Sequence, residues 1–108
     1  MQAVVELIAS RKRFTAIFAA NDQMALGASL GLSRHSMRVP EDVSLIGYDD
    51  LAFSLYANPP LSSVHQSAYE LGQTAADVLL QIIAGKKPAI QLPPPRMVLR
   101  ESCRRLSL

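Results

Sequence analysis

The chain has 108 residues, 49% of them hydrophobic, and its 11 Lys and Arg against 9 Asp and Glu leave a formal net charge of only +2. That length allows one small globular domain at most, and no apolar run approaches the ~20 residues that a membrane span needs. The basic residues (Arg11–Arg13, Lys86-Lys87, Arg100, Arg104, Arg105) lie at expected element ends without interleaved aromatics, and no helix-turn-helix stands out, so nucleic-acid binding by these residues is not expected.

Taken in chain order, residues 2–10 read as a short helix with Val4, Val5, Leu7 and Ile8 on one side and the basic run at its carboxyl end. Glu6 inside that apolar run, with no cleavage site after it, argues against a signal peptide. FTAIFAA (14–20) is short, almost wholly apolar and partly β-branched, the pattern of a strand buried on both faces of a parallel sheet. Asn21 and Asp22 follow as good N-caps for the helix QMALGASLGL. VSLIGY (43–48) reads as a second buried strand, ended by Asp49-Asp50, which can cap a short helical stretch over LAFSLYA. Asn58-Pro59-Pro60 breaks that stretch, and LSSV (61–64) is extended.

Ser67 and Glu70 form a capping box before a helix over 68–84, whose Leu71, Ala75, Val78, Leu79, Ile82 and Ile83 make an amphipathic stripe. Gly85, Lys86, Lys87 and Pro88 supply the stop. Gln91–Pro95 is a stiff proline-rich connection, and RMVLRES (96–102) is a last strand. The order α-β-α-β-(α)-β-α-β predicts a mostly parallel α/β sheet with crossover helices.

In an open parallel sheet, ligands bind beyond the carboxyl ends of the strands. Both buried strands end in acceptor-rich pairs, Asn21-Asp22 and Asp49-Asp50, which suit a neutral polyhydroxylated ligand because each group can pair with neighbouring hydroxyls. The same residues are ordinary helix caps. For Asn21 and Asp49, the first polar residues out of each strand, binding and capping are both open; for Asp22 and Asp50, capping is favoured. An acidic pair also suggests a metal site or an acid/base dyad. Neighbours on a strand point to opposite faces, however, and the chain has no phosphate-cradling glycine loop and no nucleophile elbow. One cysteine (Cys103) and two distant histidines (His35, His65) do not make a metal site of usual spacing and leave no internal disulfide, which fits a reducing cytoplasm. No catalytic residue, metal or cofactor is therefore expected. On the helix after Asn21, the residues Met24, Gly27, Ala28 and Gly31 share one face, whereas Leu26 and Leu30 point roughly the other way, either to a partner or to another part of the core.

TAIFAANDQMALGA (15–28), VPEDVSLIGYDD (39–50), PPLSSV (59–64), ELGQTAADVLL (70–80) and VLRES (98–102) together resemble the C-terminal third of lactose- and galactose-repressor (LacI/GalR) family regulators. The resemblance runs from about Phe14 to Arg104 with the segments in family order; LSSV stands where threonines are commoner. It implies a three-layer α/β fold of the periplasmic-binding-protein-like (type I) kind, incomplete here, in which two subdomains clamp a ligand. By that pattern residues 1–65 belong to the C-terminal effector subdomain, and 66–95 are a crossover with a helix of the other subdomain. Residues 96–103 are the returning strand, and 104–108 are a tail. The resemblance further implies a small-molecule effector, a sugar or sugar derivative, bound by Asn21 and Asp49, with Asp22 and Asp50 as secondary or capping residues. It implies a homodimer formed through Leu26, Leu30, Phe53 and Tyr56, and a cytoplasmic repressor without membrane contact. Operator DNA would be bound only through an N-terminal head that these residues do not include. The alternative is part of a periplasmic sugar-binding protein of an ABC transporter, which shares the fold; Asp49-Asp50, PPLSSV and VLRES favour the repressor branch.

Overall fold

The computed structural model describes residues 1–107. Helix α1 spans Gln2–Ala9, strand β1 Ala16–Phe18, helix α2 Asp22–Arg34 and strand β2 Ser44–Asp49. A 3-10 turn at Ala52–Tyr56 precedes strand β3 (Ser62–His65), helix α3 (Ala68–Ile83) and strand β4 (Arg96–Val98). The sheet order is β1-β2-β3-β4, with β1, β2 and β3 mutually parallel as the element order predicts. Strand β4 departs from that pattern and runs antiparallel to β3.

The expected last strand over 96–102 is shorter because the chain leaves the ladder after Val98 to close the sheet's amino end. There Ser102, only 1% exposed, sits between two strands: its hydroxyl donates to Leu45 O (2.5 Å) and accepts from Ser62 N (2.7 Å), while its carbonyl accepts from Leu45 N (2.8 Å). The hydroxyl spares the Ser62 amide the cost of being buried unpaired, about 1–3 kcal/mol.

The core consists of Val4, Ala19, Ala25, Ala28, Leu32, Val43, Leu45 and Leu61, where α2 packs on β2 and α1 packs on α2. Gly27 and Gly31 leave room for α1 beside Met1 and Val4. The inward face of α2 carries Ala25, Ala28, Gly31 and Leu32; of the four residues expected to share a face, Ala28 and Gly31 are buried and Gly27 is half-buried against Met1, whereas Met24 is exposed. Strand β1 also differs. Ile17 packs against the core, but Ala16 and Phe18 face away from it and are exposed, Phe18 to 66%. An apolar run fits burial on one face or two, and among the described residues only the face bearing Ile17 and Ala19 is covered.

Helix α3 begins as the sequence predicts, with Ser67 Oγ accepting from Glu70 N (3.2 Å), and Gly85 after its end takes φ 76°. The returning bond of a full capping box is absent among the described residues. None of the helix's residues is buried. Its stripe and the segment after it line an apolar groove of about 520 Å³, formed by Leu71, Val78, Leu79, Ile82, Ile90 and Leu92 among others. The radius of gyration is 18.0 Å, against about 13 Å for a compact chain of this length, because α3 stands away from the core.

Candidate functional site at the carboxyl edge of the sheet

Strand pairing determines which polar residues share this edge. Asp49 is level with His65, and His65 with Arg96, across β2, β3 and β4. On the other side β1 pairs with β2 through Phe18 and Ile46, and Ala19 N donates to Ile46 O (2.8 Å). Asn21 thus leaves β1 at the same edge. It is extended (φ −154°, ψ 171°), and its side-chain oxygen caps α2 by accepting from Met24 N at 2.8 Å. The cap occupies the carbonyl and leaves the amide NH₂ as a donor. Capping and ligand contact are therefore compatible functions of one side chain.

Asp49 and Asp50 both have left-handed backbone, with φ 97° and 54°. Residues other than glycine adopt that region at a cost, and consecutive ones persist where their surroundings hold them. Asp50 N donates to Ser63 Oγ (3.1 Å), and the Asp50 carboxylate accepts from Arg100 Nη2 (2.6 Å) and pairs with His65 Nδ1 (2.9 Å). Arg100 is itself fixed by donating from Nη1 to Leu61 O (2.7 Å). Burial works to raise the Asp50 pKa, but the hydrogen bonds from Arg100 and His65 outweigh it and hold the carboxyl below its ordinary value. With Asp50 pinned, the Asp49 side chain remains exposed at the edge.

Asp22 is wholly buried. Its carboxylate accepts from Ser63 Oγ (2.6 Å) on one oxygen, and from Ser54 Oγ (2.5 Å) and Leu51 N (2.8 Å) on the other. It fits only because residue 47 is glycine, where any Cβ would collide with Asp22 Oδ1. Two expectations are corrected here. Asp22 does not cap α2, which Asn21 caps, and its burial keeps it from touching a ligand. Asp50 does not cap the 3-10 turn, whose N-cap, Leu51, lacks a side-chain bond; it forms an ion pair instead.

Of the expected partner surface, Leu26 and Leu30 are 37% and 48% exposed, Tyr56 is 82% exposed and Phe53 is half-buried. Sequence reasoning missed His65, Arg96 and Arg100 at the edge: strand register brings the first two there, and Arg100, beyond the last strand, joins them through its bond to Asp50. It also missed Ser63, although paired serines inside an extended apolar segment signal buried polar partners. Tyr48, on the same part of β2, donates to Gln66 Oε1 (2.9 Å). Among the described residues no three His, Cys, Asp or Glu side chains form a group that could hold a metal ion, and no helix is long and apolar enough to cross a membrane.

Comparison with known proteins gives this arrangement a family. A profile described as a periplasmic binding protein-like domain matches residues 2–103, and the chain belongs to that family. Within it, the chain belongs to the LacI/GalR regulators. It is 46% identical over 85 residues to the HTH-type transcriptional repressor PurR of Haemophilus influenzae, covering 79% of this chain and 25% of the relative. The PurR repressor of Vibrio cholerae is 44% identical over 85 residues, with the same coverage. The Lac repressor dimer bound to operator and the anti-inducer ONPF superposes with a TM-score of 0.88 at 38% identity, over 94% of this chain and 36% of that one. A LacI family regulator of Enterococcus faecalis with bound ribose gives 0.88 at 38% identity, over 98% of this chain and 40% of that one. The chain thus spans about a quarter of the length of the curated relatives it matches.

Proposed function

We propose that these residues are the effector-sensing and dimerisation region of a cytoplasmic LacI/GalR-type transcriptional repressor, with a sugar or sugar derivative as effector. The observation that carries the reading is the Asp49-Asp50 turn, where three side chains and a buried carboxylate hold a left-handed backbone that presents one free carboxylate at the edge. Asp49 accepts from ligand hydroxyls, and the Asn21 NH₂ donates to them. The ribose bound to the Enterococcus regulator supports a polyhydroxylated ligand. That the relatives are repressors supports regulation over transport or catalysis.

The edge has one wall in this chain. In our reading residues 1–65 form that wall, 66–95 cross to a second subdomain, and 96–103 return. The unburied stripe of α3 and the return of β4 to the sheet support the division. Leu26, Leu30, Phe53 and Tyr56 form a two-fold dimer surface, because the same apolar patch on both copies can satisfy itself. DNA contact belongs to other parts of such a repressor.

Calorimetric titration of the intact protein with ribose and related sugars tests this function. Asp49→Ala strands ligand hydroxyls and is expected to weaken binding by about 1–3 kcal/mol. Unchanged affinity in that variant would remove Asp49 from the site.

A further inference from the structure

Asp22 lies one residue from the ligand-facing Asn21, yet it has no exposed surface and every hydrogen bond its side chain accepts comes from elsewhere in the chain. One oxygen reaches Ser63, which in turn accepts from the backbone of Asp50. The other reaches Leu51 N and Ser54 Oγ, at the start and middle of the 3-10 turn that carries Phe53 and Tyr56. Helix α2, strand β3, the Asp49-Asp50 turn and the 3-10 turn therefore meet at one carboxylate. A bond to a carboxylate is stronger than one between neutral groups, and in a closed site no water replaces it when it breaks. The carboxylate lies so close to residue 47 that only glycine leaves room for it there.

We propose that Asp22 is a positioning residue of the effector site. It holds the Asp49-Asp50 turn and the 3-10 turn as one body, so that effector bound at Asn21 and Asp49 alters the face carrying Phe53 and Tyr56. Networks of packed, hydrogen-bonded groups can carry coupling between separated sites, and this cluster is contiguous from the Asp49-Asp50 turn to the 3-10 turn. The inference rests on the effector reading above, and its test separates the two.

The test is residue-resolved hydrogen exchange on the intact protein, with and without ribose. Asp22→Ala removes the acceptor, Asp22→Asn retains an oxygen for Leu51 N–H, and Ser54→Ala cuts only the link to the 3-10 turn. In the unaltered protein, ribose is expected to slow exchange across 52–56. Asp22→Ala should abolish that slowing and weaken ribose binding about tenfold, and Asp22→Asn should restore most of both. Ser54→Ala should abolish the slowing while leaving affinity within about twofold, which keeps the test decisive if Asp22→Ala does not fold. Slowing that survives in Ser54→Ala, or no rescue by Asp22→Asn, would overturn the positioning role. If ribose does not bind the unaltered protein, the sugar reading fails, and exchange without ligand decides the role instead. Asp22→Ala, or Ser54→Ala if that variant does not fold, should then speed exchange at Leu51 and across 52–56 about tenfold relative to Ala25 and Leu45. Equal acceleration everywhere would reduce Asp22 to general stability.

Discussion

Gly47→Ala is the smallest change that tests the cluster under the candidate site. Gly47 does not have a positive φ, so alanine is conformationally allowed there. In the unfolded chain, alanine has fewer states to lose, which by itself would stabilise the fold by about 0.4–1 kcal/mol. Against this, the new Cβ would lie 3.1 Å from Asp22 Cα and Cγ and would overlap Asp22 Oδ1 outright. The carboxylate would have to move by about 1 Å, enough to break the 2.6 Å bond from Ser63 and to stretch those from Ser54 and Leu51. Hydrogen bonds to charged groups contribute roughly 1.5–3 kcal/mol each, so losing one or two outweighs the entropic gain and leaves a net cost of about 2–4 kcal/mol. Urea unfolding of the intact protein, followed by far-ultraviolet circular dichroism, should show a lowered midpoint. The double variant with Asp22→Ala discriminates further, because without the carboxylate the added methyl group has nothing to strike and its cost should vanish. A Gly47→Ala cost below about 0.5 kcal/mol, or the same cost in both backgrounds, would refute the close approach.

Other outcomes follow from the same geometry. Leu26→Glu places a charge in the proposed two-fold surface, and sedimentation of the intact protein should then show monomers; a persisting dimer would mean the contact lies elsewhere. Asp50 has a folded-state pKa below its ordinary 3.8, so its ion pair stabilises the fold above that value and the contribution is lost as pH falls through the lower, folded-state pKa. Asp50→Asn should consequently be less stable at neutral pH and flatten the acid limb of the stability profile, and an acid limb as steep as before would assign it to other carboxylates. The 108-residue chain produced alone should associate or unfold without a sharp transition. Leu71, Val78, Leu79, Ile82 and Ile83 would each contribute roughly 1.5–3 kcal/mol if buried, of the order of a whole domain's stability, and none of them is. A monomer by light scattering, with one cooperative transition and protected α3 amides, would disprove this.

What the sequence displays and what it hides divide along a physical line. Local signals were legible: the caps at Asn21 and Ser67, the glycine stop at Gly85 and the order of strands and helices depend on residues a few positions apart. So were the chain segments that carry the family resemblance. Strand neighbours were not. Asp49, His65 and Arg96 are brought level by pairing across β2, β3 and β4, and nothing in their spacing specifies it. The same holds for the sense of β4 and for the open face of β1, since an apolar run records that a surface is buried but not by what.

The two aspartate-bearing pairs show where reading by residue type fails. Each pair presents similar chemistry at the end of a strand; the residues alone favour capping for Asp22 and Asp50 and leave binding and capping open for Asn21 and Asp49. In the structure the division falls by environment. Asp22 and Asp50 are enclosed and bonded, one by two serine hydroxyls and a backbone amide, the other by Arg100, His65 and Ser63. Asn21 and Asp49 each remain with a free polar group at the edge, the amide NH₂ of Asn21 and the carboxylate of Asp49. A carboxylate held by a fixed network needs little reorganisation when its neighbour engages a ligand, because the donors around it are already oriented. In the proposed function, the enclosed member of each pair therefore serves the exposed one. A mutational survey that scored all four for binding alone would see losses at every position. Only Asp49 and Asn21 variants should change which sugar is preferred, whereas Asp22 and Asp50 variants should weaken all sugars alike.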